Sequence, residues 1–164
     1  MKVREIMTEN PACVTPGDSA HRAAQLMADN DCGCLPVVEA LDSGRVIGVV
    51  TDRDIALRGV AQRKGPDTAV RELMTPNLCC CSPDDDIKVA ERIMADQQIR
   101  RVVVVDSSGC CCGMLAQADL AFAAERRRDV TERELARVVE RISEPTQPTP
   151  DVMLRSQRAP DQRL

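Results

Sequence analysis

Two stretches of this chain differ at one position in six: Val3-Arg4-Glu5-Ile6-Met7-Thr8 and Val70-Arg71-Glu72-Leu73-Met74-Thr75. The displacement between them is 67 positions, and it persists. Thr15-Pro16 matches Ser82-Pro83, Leu26-Met27-Ala28-Asp29 matches Ile93-Met94-Ala95-Asp96, and Val37-Val38-Glu39 matches Val104-Val105-Asp106. The next loop is two residues shorter in the second copy. After it, Gly48-Val49-Val50-Thr51 through Asp54-Ile55 matches Gly113-Met114-Leu115-Ala116 through Asp119-Leu120. A repeat this long is a supersecondary unit, so the two copies are expected to share one local fold.

Each copy reads β-α-β-β-α. A short strand is expected around Ala12–Val14, and again around Cys79–Cys81. Asp18 or Ser19 is placed to cap the first helix, whose stripe Ala20, Ala23, Ala24 and Met27 has helical period. Ile87, Ala90, Ile93 and Met94 repeat that stripe. Two β-branched runs follow in each copy, Leu35–Val38 with Val46–Val50 and Val102–Val105 with Cys111–Leu115. Asp42-Ser43-Gly44 and Ser107-Ser108-Gly109 supply the turns between them. Strands this apolar are buried on both faces or nearly so. A second helix begins near Asp52 and near Gln117. The expected organisation is therefore an α/β (α+β) chain with one repeat over residues 1–62, a linker at 63–69 and a second repeat at 70–128. Thr131-Glu132-Arg133-Glu134 has capping-box spacing and predicts a C-terminal helix over 129–143. Its stripe of Leu135, Val138, Val139 and Ile142 is expected on the chain's own fold, with a partner subunit as the alternative. Residues 144–164 are rich in Pro, Gln and charge and read as a disordered tail.

Composition narrows the function. Phe122 is the only aromatic residue, so the core must be aliphatic, and the near-absence of rings weighs against a site that stacks nucleic-acid bases. The net charge of -4 offers no basic field for nucleic acid or anionic membrane. No apolar run reaches the roughly 18 residues of a membrane span, and Met1–Asn10 has no signal-peptide core. These features predict a cytoplasmic protein with no nucleic-acid or membrane partner and with reduced thiols.

The doubled pattern resembles the CBS-domain family, named from cystathionine beta-synthase. The Met-Thr opening, the hydrophobic-Pro-Val-Val run and the Gly-hydrophobic-hydrophobic-Thr-x-x-Asp segment carry the resemblance over residues 3 to about 124. It implies two repeats packed about a pseudo-twofold axis, two clefts between them for AMP, ADP, ATP or another adenosyl ligand such as S-adenosylmethionine, and a homodimer. A nucleotide site needs an apolar slot for adenine, a carboxylate for the ribose hydroxyls, and Arg, hydroxyl or helix N-terminal donors for phosphate.

Gly48-Val49-Val50-Thr51-Asp52-Arg53-Asp54 fits the family segment throughout. The resemblance gives Asp54 the ribose hydroxyls and Thr51 the sugar or phosphate region, in a cleft lined by Val49, Cys79 and Ile99 with Thr75 nearby. The alternative is that Thr51 only caps a helix and Asp54 only complements its dipole. In the second copy Ala116 replaces the threonine while Asp119 remains. Arg100 and Arg101 resemble the family's phosphate-contacting basic pair; the alternative is a solvated strand edge. That second cleft would be lined by Met114, Ala12, Cys32 and Cys34, with Thr8 near the phosphates.

Nine cysteines include the triplets Cys79-Cys80-Cys81 and Cys110-Cys111-Cys112. They read as small apolar fillers of strand positions, with a thiolate metal site as the alternative. Neither triplet has C-x2-C spacing, and His21, the one histidine, is expected on the surface. One histidine serves no hydrolytic triad, and no phosphate-binding G-x-x-x-x-G-K-[ST] loop is present. The chain thus reads as a non-catalytic sensor that needs no cofactor, binds an adenosine nucleotide and signals to an unknown protein partner. A metal- or redox-responsive thiol protein, or a dimerisation module with empty clefts, are the alternatives.

Overall fold

The computed structural model describes residues 1–76, 78–127 and 132–144. The start of the C-terminal helix before Glu132 and the tail beyond Glu144 lie outside the described residues. In order, the elements are β1 (Thr8–Glu9), α1 (Ala20–Asp29), β2 (Cys34–Val38), β3 (Val46–Thr51), the single turn α2 (Asp52–Asp54), β4 (Thr75–Pro76), α3 (Ile87–Gln97), β5 (Arg101–Val105), β6 (Cys111–Ala116), α4 (Gln117–Arg127) and α5 (Glu132–Ser143).

The apolar runs make two antiparallel sheets, ordered β2-β3-β4 and β1-β6-β5. Both hairpins carry a bulge at the same repeat position, between Val37 and Val38 and between Val104 and Val105. All five residues of β2 are buried, as their unbroken apolarity requires. Ser19 Oγ caps α1 by accepting from the Arg22 N–H at 3.1 Å, and Asp86 Oδ1 does the same for α3 from Lys88 N–H at 3.1 Å.

The strands expected at 12–14 and 79–81 shrink to one residue each. Val14 pairs with Val37 and Cys81 with Val104, both in parallel. The reason is local. Pro11 has no N–H, and the next donor is diverted: Thr15 N–H goes to Asp18 Oδ2 at 2.6 Å and Ser82 N–H to Asp85 Oδ2 at 2.8 Å. A ladder robbed of donors on one side cannot extend. The second helix of the first repeat starts at Asp52, where it is expected, but is a single turn. After α2 the backbone widens into a π turn over Ile55–Gly59 and then a 3-10 turn over Val60–Gln62, where Gly59 leaves helical geometry at φ -97°, ψ -86°.

The two-residue strands β1 and β4 were not foreseen, and they cross between repeats. β1 pairs with β6, matching Thr8 to Met114, while β4 pairs with β3, matching Thr75 to Val49. The residues before them cross too. Val3 N–H donates to Asp85 O at 3.0 Å and Val70 N–H to Asp18 O at 2.8 Å; Ile87 N–H donates to Met1 O at 3.1 Å and Ala20 N–H to Thr68 O at 2.8 Å. Val3 is thus buried in the core of the second repeat, with Ile87, Ala90, Met94 and Leu115. Val70 and Leu73 are buried in the core of the first, with Val14, Ala23, Leu35 and Val50. Close approach makes glycine necessary where β4 docks, since a Cβ on Gly48 would sit 2.7 Å from the backbone oxygen of Thr75, while Gly113 is covered by the flexible Met7 side chain.

A third cluster, Cys34, Val103 and Met114 with Val46, Val49 and Cys111 around them, joins the two sheets. At its edge the hairpin turns exchange bonds symmetrically: Val46 N–H to Gly109 O at 3.1 Å, and Cys111 N–H to Gly44 O at 2.8 Å. The pseudo-twofold axis runs between these two bonds. Both glycines have positive φ, 64° and 78°, as the turns demand. The expected packing of two repeats about such an axis is what the structure shows.

Leu73 is fully buried in a core otherwise built by the other repeat. Replacing it with alanine should cost about 2–5 kcal/mol, measured by urea unfolding, and should shift near-native probes of α1 and β2 together with the rest of the chain.

Candidate functional site

A concavity of about 1040 Å³ lies between the repeats. Its first wall is the carboxyl end of β3 and the turn after it. Thr51 ends the strand in extended geometry, φ -118° and ψ 161°, and caps α2. Thr51 Oγ1 accepts from Asp54 N–H at 3.1 Å and donates to Asp54 Oδ2 at 2.7 Å, while Thr51 N–H donates to the same oxygen at 3.0 Å. One carboxylate oxygen is thereby fixed. The other, Oδ1, faces the Arg58 guanidinium at 3.4 Å, one helical turn on. Arg58 also donates to Leu73 O at 2.6 Å, Met74 O at 2.9 Å and Thr75 Oγ1 at 3.1 Å. A single side chain therefore holds Asp54 and β4 in fixed relation.

The opposite wall comes from the second repeat: Gln98, Ile99 and Arg100 ahead of β5 and Arg101 at its start, and Ala116 and Gln117 where β6 passes into α4. Gln117 N–H donates to Arg100 O at 2.9 Å, which ties these two segments together. Val49, Thr75, Leu78 and Cys79 line the apolar side. Three guanidinium groups, Arg53, Arg100 and Arg101, share the cavity with two carboxylates, Asp52 and Asp54. Such a site offers an apolar slot, a pre-oriented carboxylate and strong anion donors.

All six residues assigned to the first cleft, Thr51, Asp54, Val49, Thr75, Cys79 and Ile99, line this one cavity. Arg100, Arg101, Ala116 and Cys34, assigned to the second cleft, line it as well. The remaining five stand elsewhere. Thr8 is opposite Met114 across β1 and β6, Met114 is buried between the sheets, and Ala12 and Cys32 pack on the core of the first repeat. Asp119 Oδ2 accepts from Ala116 N–H at 2.7 Å, keeping half of the Thr51–Asp54 arrangement without its hydroxyl.

Sequence reasoning missed Arg58, although an acid and a base four residues apart are a readable signal. It also missed the ceiling of the cavity. Leu135, Val139 and Ile142 of α5 line it, together with Ala121 of α4. The helix is anchored on α3 by Arg141 to Asp96 at 2.8 Å and by Gln98 Nε2, which donates to Glu144 O at 3.3 Å. Its stripe thus packs on the chain's own fold, with Val138 and Ile142 in the core of the second repeat.

Among the described residues, no group of three or more His, Cys, Asp or Glu converges to hold a metal ion, and no helix is long and apolar enough to cross a membrane. Burial pushes the Cys34 thiol up to about 12; Arg101 opposes this, and Cys32, Asp54 and Asp52 reinforce it. Burial likewise pushes Cys81 up to about 12, reinforced by Asp85.

A chain of two interlocked repeats, with one large cavity drawing residues from both, is a tandem α/β module. It belongs to the CBS domain family, whose model matches it twice, over residues 3–59 and 70–126. The CBS domain-containing protein YhcV of Bacillus subtilis is 40% identical over 119 residues, covering 73% of this chain and 82% of that protein. The crystal structure of Hypoxic Response Protein I with two coordinated zinc ions superposes with a TM-score of 0.67 at 31% identity, over 74% of this chain and 98% of the other. The CBS domain protein PAE2072 from Pyrobaculum aerophilum complexed with AMP gives a TM-score of 0.68 at 30% identity, over 74% and 92%.

Raised thiol values have a consequence for stability. Between the ordinary thiol value of 9.0 and about 12, unfolded Cys34 and Cys81 lose their protons while the folded protein holds them. The folded state binds more protons in that window, so stability is full below about pH 9 and falls as pH rises toward 12. Cys81→Val, which copies Val14 of the first repeat, should flatten that decline in urea midpoints measured from pH 8 to 11.

Proposed function

We propose that this chain is a non-catalytic sensor that binds an adenosine nucleotide in the cavity between its repeats. The observation that carries this reading is the convergence on one cavity of Thr51 and Asp54 from the first repeat with Arg100 and Arg101 from the second. Asp54 Oδ1 accepts from the two ribose hydroxyls, a role for which its other oxygen is already immobilised. Adenine occupies the apolar slot by Val49, Leu78 and Cys79. Phosphate lies toward Arg53, Arg100 and Arg101, where guanidinium groups give charge-assisted bonds. The AMP complex of PAE2072 supports the adenosyl class.

Because both halves contribute, the ligand favours whichever relative arrangement of the repeats closes on it, and only such differential affinity converts binding into a signal. The signal passes to a protein partner through a homodimer. Leu57 and Phe122 occupy equivalent places after the two β-strand ends and are 49% and 60% exposed, an apolar pair suited to contact with a second copy.

Calorimetry with AMP, ADP, ATP and S-adenosylmethionine tests the reading. At least one should bind, and Asp54→Ala should weaken it about 10- to 100-fold, the worth of charged hydrogen bonds of about 1.5–3 kcal/mol. Arg100→Ala with Arg101→Ala should weaken the phosphorylated ligands and leave adenosine unchanged. No heat from any of the four at millimolar concentration would end the proposal.

Removing the cavity's ceiling tests its extent. A chain ending at residue 128 should lose the wall of Leu135, Val139 and Ile142 and bind the same nucleotide at least about 10-fold more weakly, the effect of exposing one or two apolar contacts.

A further inference from the structure

A nucleotide uses one apolar surface of the cavity, the slot by Val49, Leu78 and Cys79, and leaves a second one bare. On α4 and α5 the cavity is lined by Ala118, Ala121, Leu135 and Val139. Ala118, Ala121 and Val139 are exposed although they line a cavity, and Val139 is 37% exposed. Leu135 and Val139 stand one helical turn apart on a single face of α5. The charged side chains of that helix turn elsewhere, with Arg137 and Arg141 lining a separate groove against α3.

This hydrocarbon adjoins the anion-binding part of the cavity. Gln98 Nε2 donates to Arg141 O at 3.4 Å and to Glu144 O at 3.3 Å, so the end of α5 is pinned to the segment that carries Arg100 and Arg101. Gln117 N–H donates to Arg100 O at 2.9 Å, which pins the start of α4 to the same segment. Ala118 follows directly, and Ala121 lies one turn on. A ligand held by the guanidinium pair therefore meets bare hydrocarbon next. Further phosphates placed there would lose water against apolar groups, whereas an apolar chain gains from the same burial.

The geometry points to an adenylate whose phosphate carries an apolar chain, the chemical class of acyl adenylates, with the chain lying under α5 against Ala118, Ala121, Leu135 and Val139. The inference rests on the nucleotide reading above and adds the second half of the ligand. Adenosine is held at Asp54 and the phosphate at Arg100 and Arg101. A substituted phosphate keeps one negative charge, enough for charge-assisted bonds to the guanidinium pair. The volume of about 1040 Å³ stands at the upper end of the roughly 300–1,000 Å³ of small-molecule sites, which suits a nucleotide with an added chain.

Calorimetry on the full chain with AMP, its phosphate methyl ester and its phosphate hexyl ester tests this. The two esters carry the same charge and differ only in hydrocarbon. The hexyl ester should bind at least about 10-fold tighter than the methyl ester, the effect of burying about two of the added methylene groups. Val139→Gln and Ala121→Gln, neutral changes at exposed helix positions, should each bring the two esters to within about 2-fold of one another. In methyl NMR spectra of the wild type, the hexyl ester should shift the Leu135 and Val139 signals and the methyl ester should not, which decides the placement even if a variant fails to fold. Equal affinity of the two esters in a chain that binds AMP would overturn the inference and leave the sensor reading standing. A preference for the hexyl ester that survives in both variants, or unmoved Leu135 and Val139 signals, would overturn it as well. No heat from AMP or from either ester would end both readings together.

Discussion

Each repeat of this chain is completed by the opening residues of the other. Val3 fills the second core, Val70 and Leu73 fill the first, and β1 and β4 dock on the sheets of the opposite halves. This exchange sets the rest. It brings Thr75 and Leu78 alongside Val49 and Thr51, so the cavity has a floor. It forces glycine at 48, where crossing backbone leaves no room for a Cβ. It also makes the halves thermodynamically inseparable, because neither core is closed without a segment from the other repeat.

The cavity shows how one half of a symmetric scaffold becomes specialised. Both repeats place an aspartate three residues after the strand end, and both use it to hold the strand-terminal N–H. Only the first retains the hydroxyl and the arginine that together fix its orientation. The second contributes Arg100 and Arg101 where the first has Gly33 and Cys34. Complementary losses have left carboxylate and hydroxyl on one wall and the basic pair on the other. α5 has no counterpart in the first repeat, and it closes the side that the repeats leave open.

Most of the fold was legible because hydrophobic period and internal repetition report on the same units. The helices α1 and α3, the two hairpins and their turns stand where the periodic residues place them. What escaped was non-periodic. Two-residue strands such as Thr8–Glu9 carry no pattern of their own, and their partner lies at the far end of the other repeat. The strands expected near Val14 and Cys81 failed because Asp18 and Asp85 capture the next backbone donor, a competition that residue propensity does not weigh. At the site, the motif pointed to Thr51 and Asp54, while Arg58 and Leu135 became visible only once tertiary packing set them beside the cavity.

The reciprocal bonds between Val3 and Asp85 and between Val70 and Asp18 bear on how such a chain arose. A single-copy forebear could not have satisfied its own opening strand. It would have folded only by trading that strand with an identical molecule, as an intertwined pair. Joining the two copies head to tail replaced a concentration-dependent association with an intramolecular one. Within one chain the two copies need not stay alike, so the pocket between them can be asymmetric.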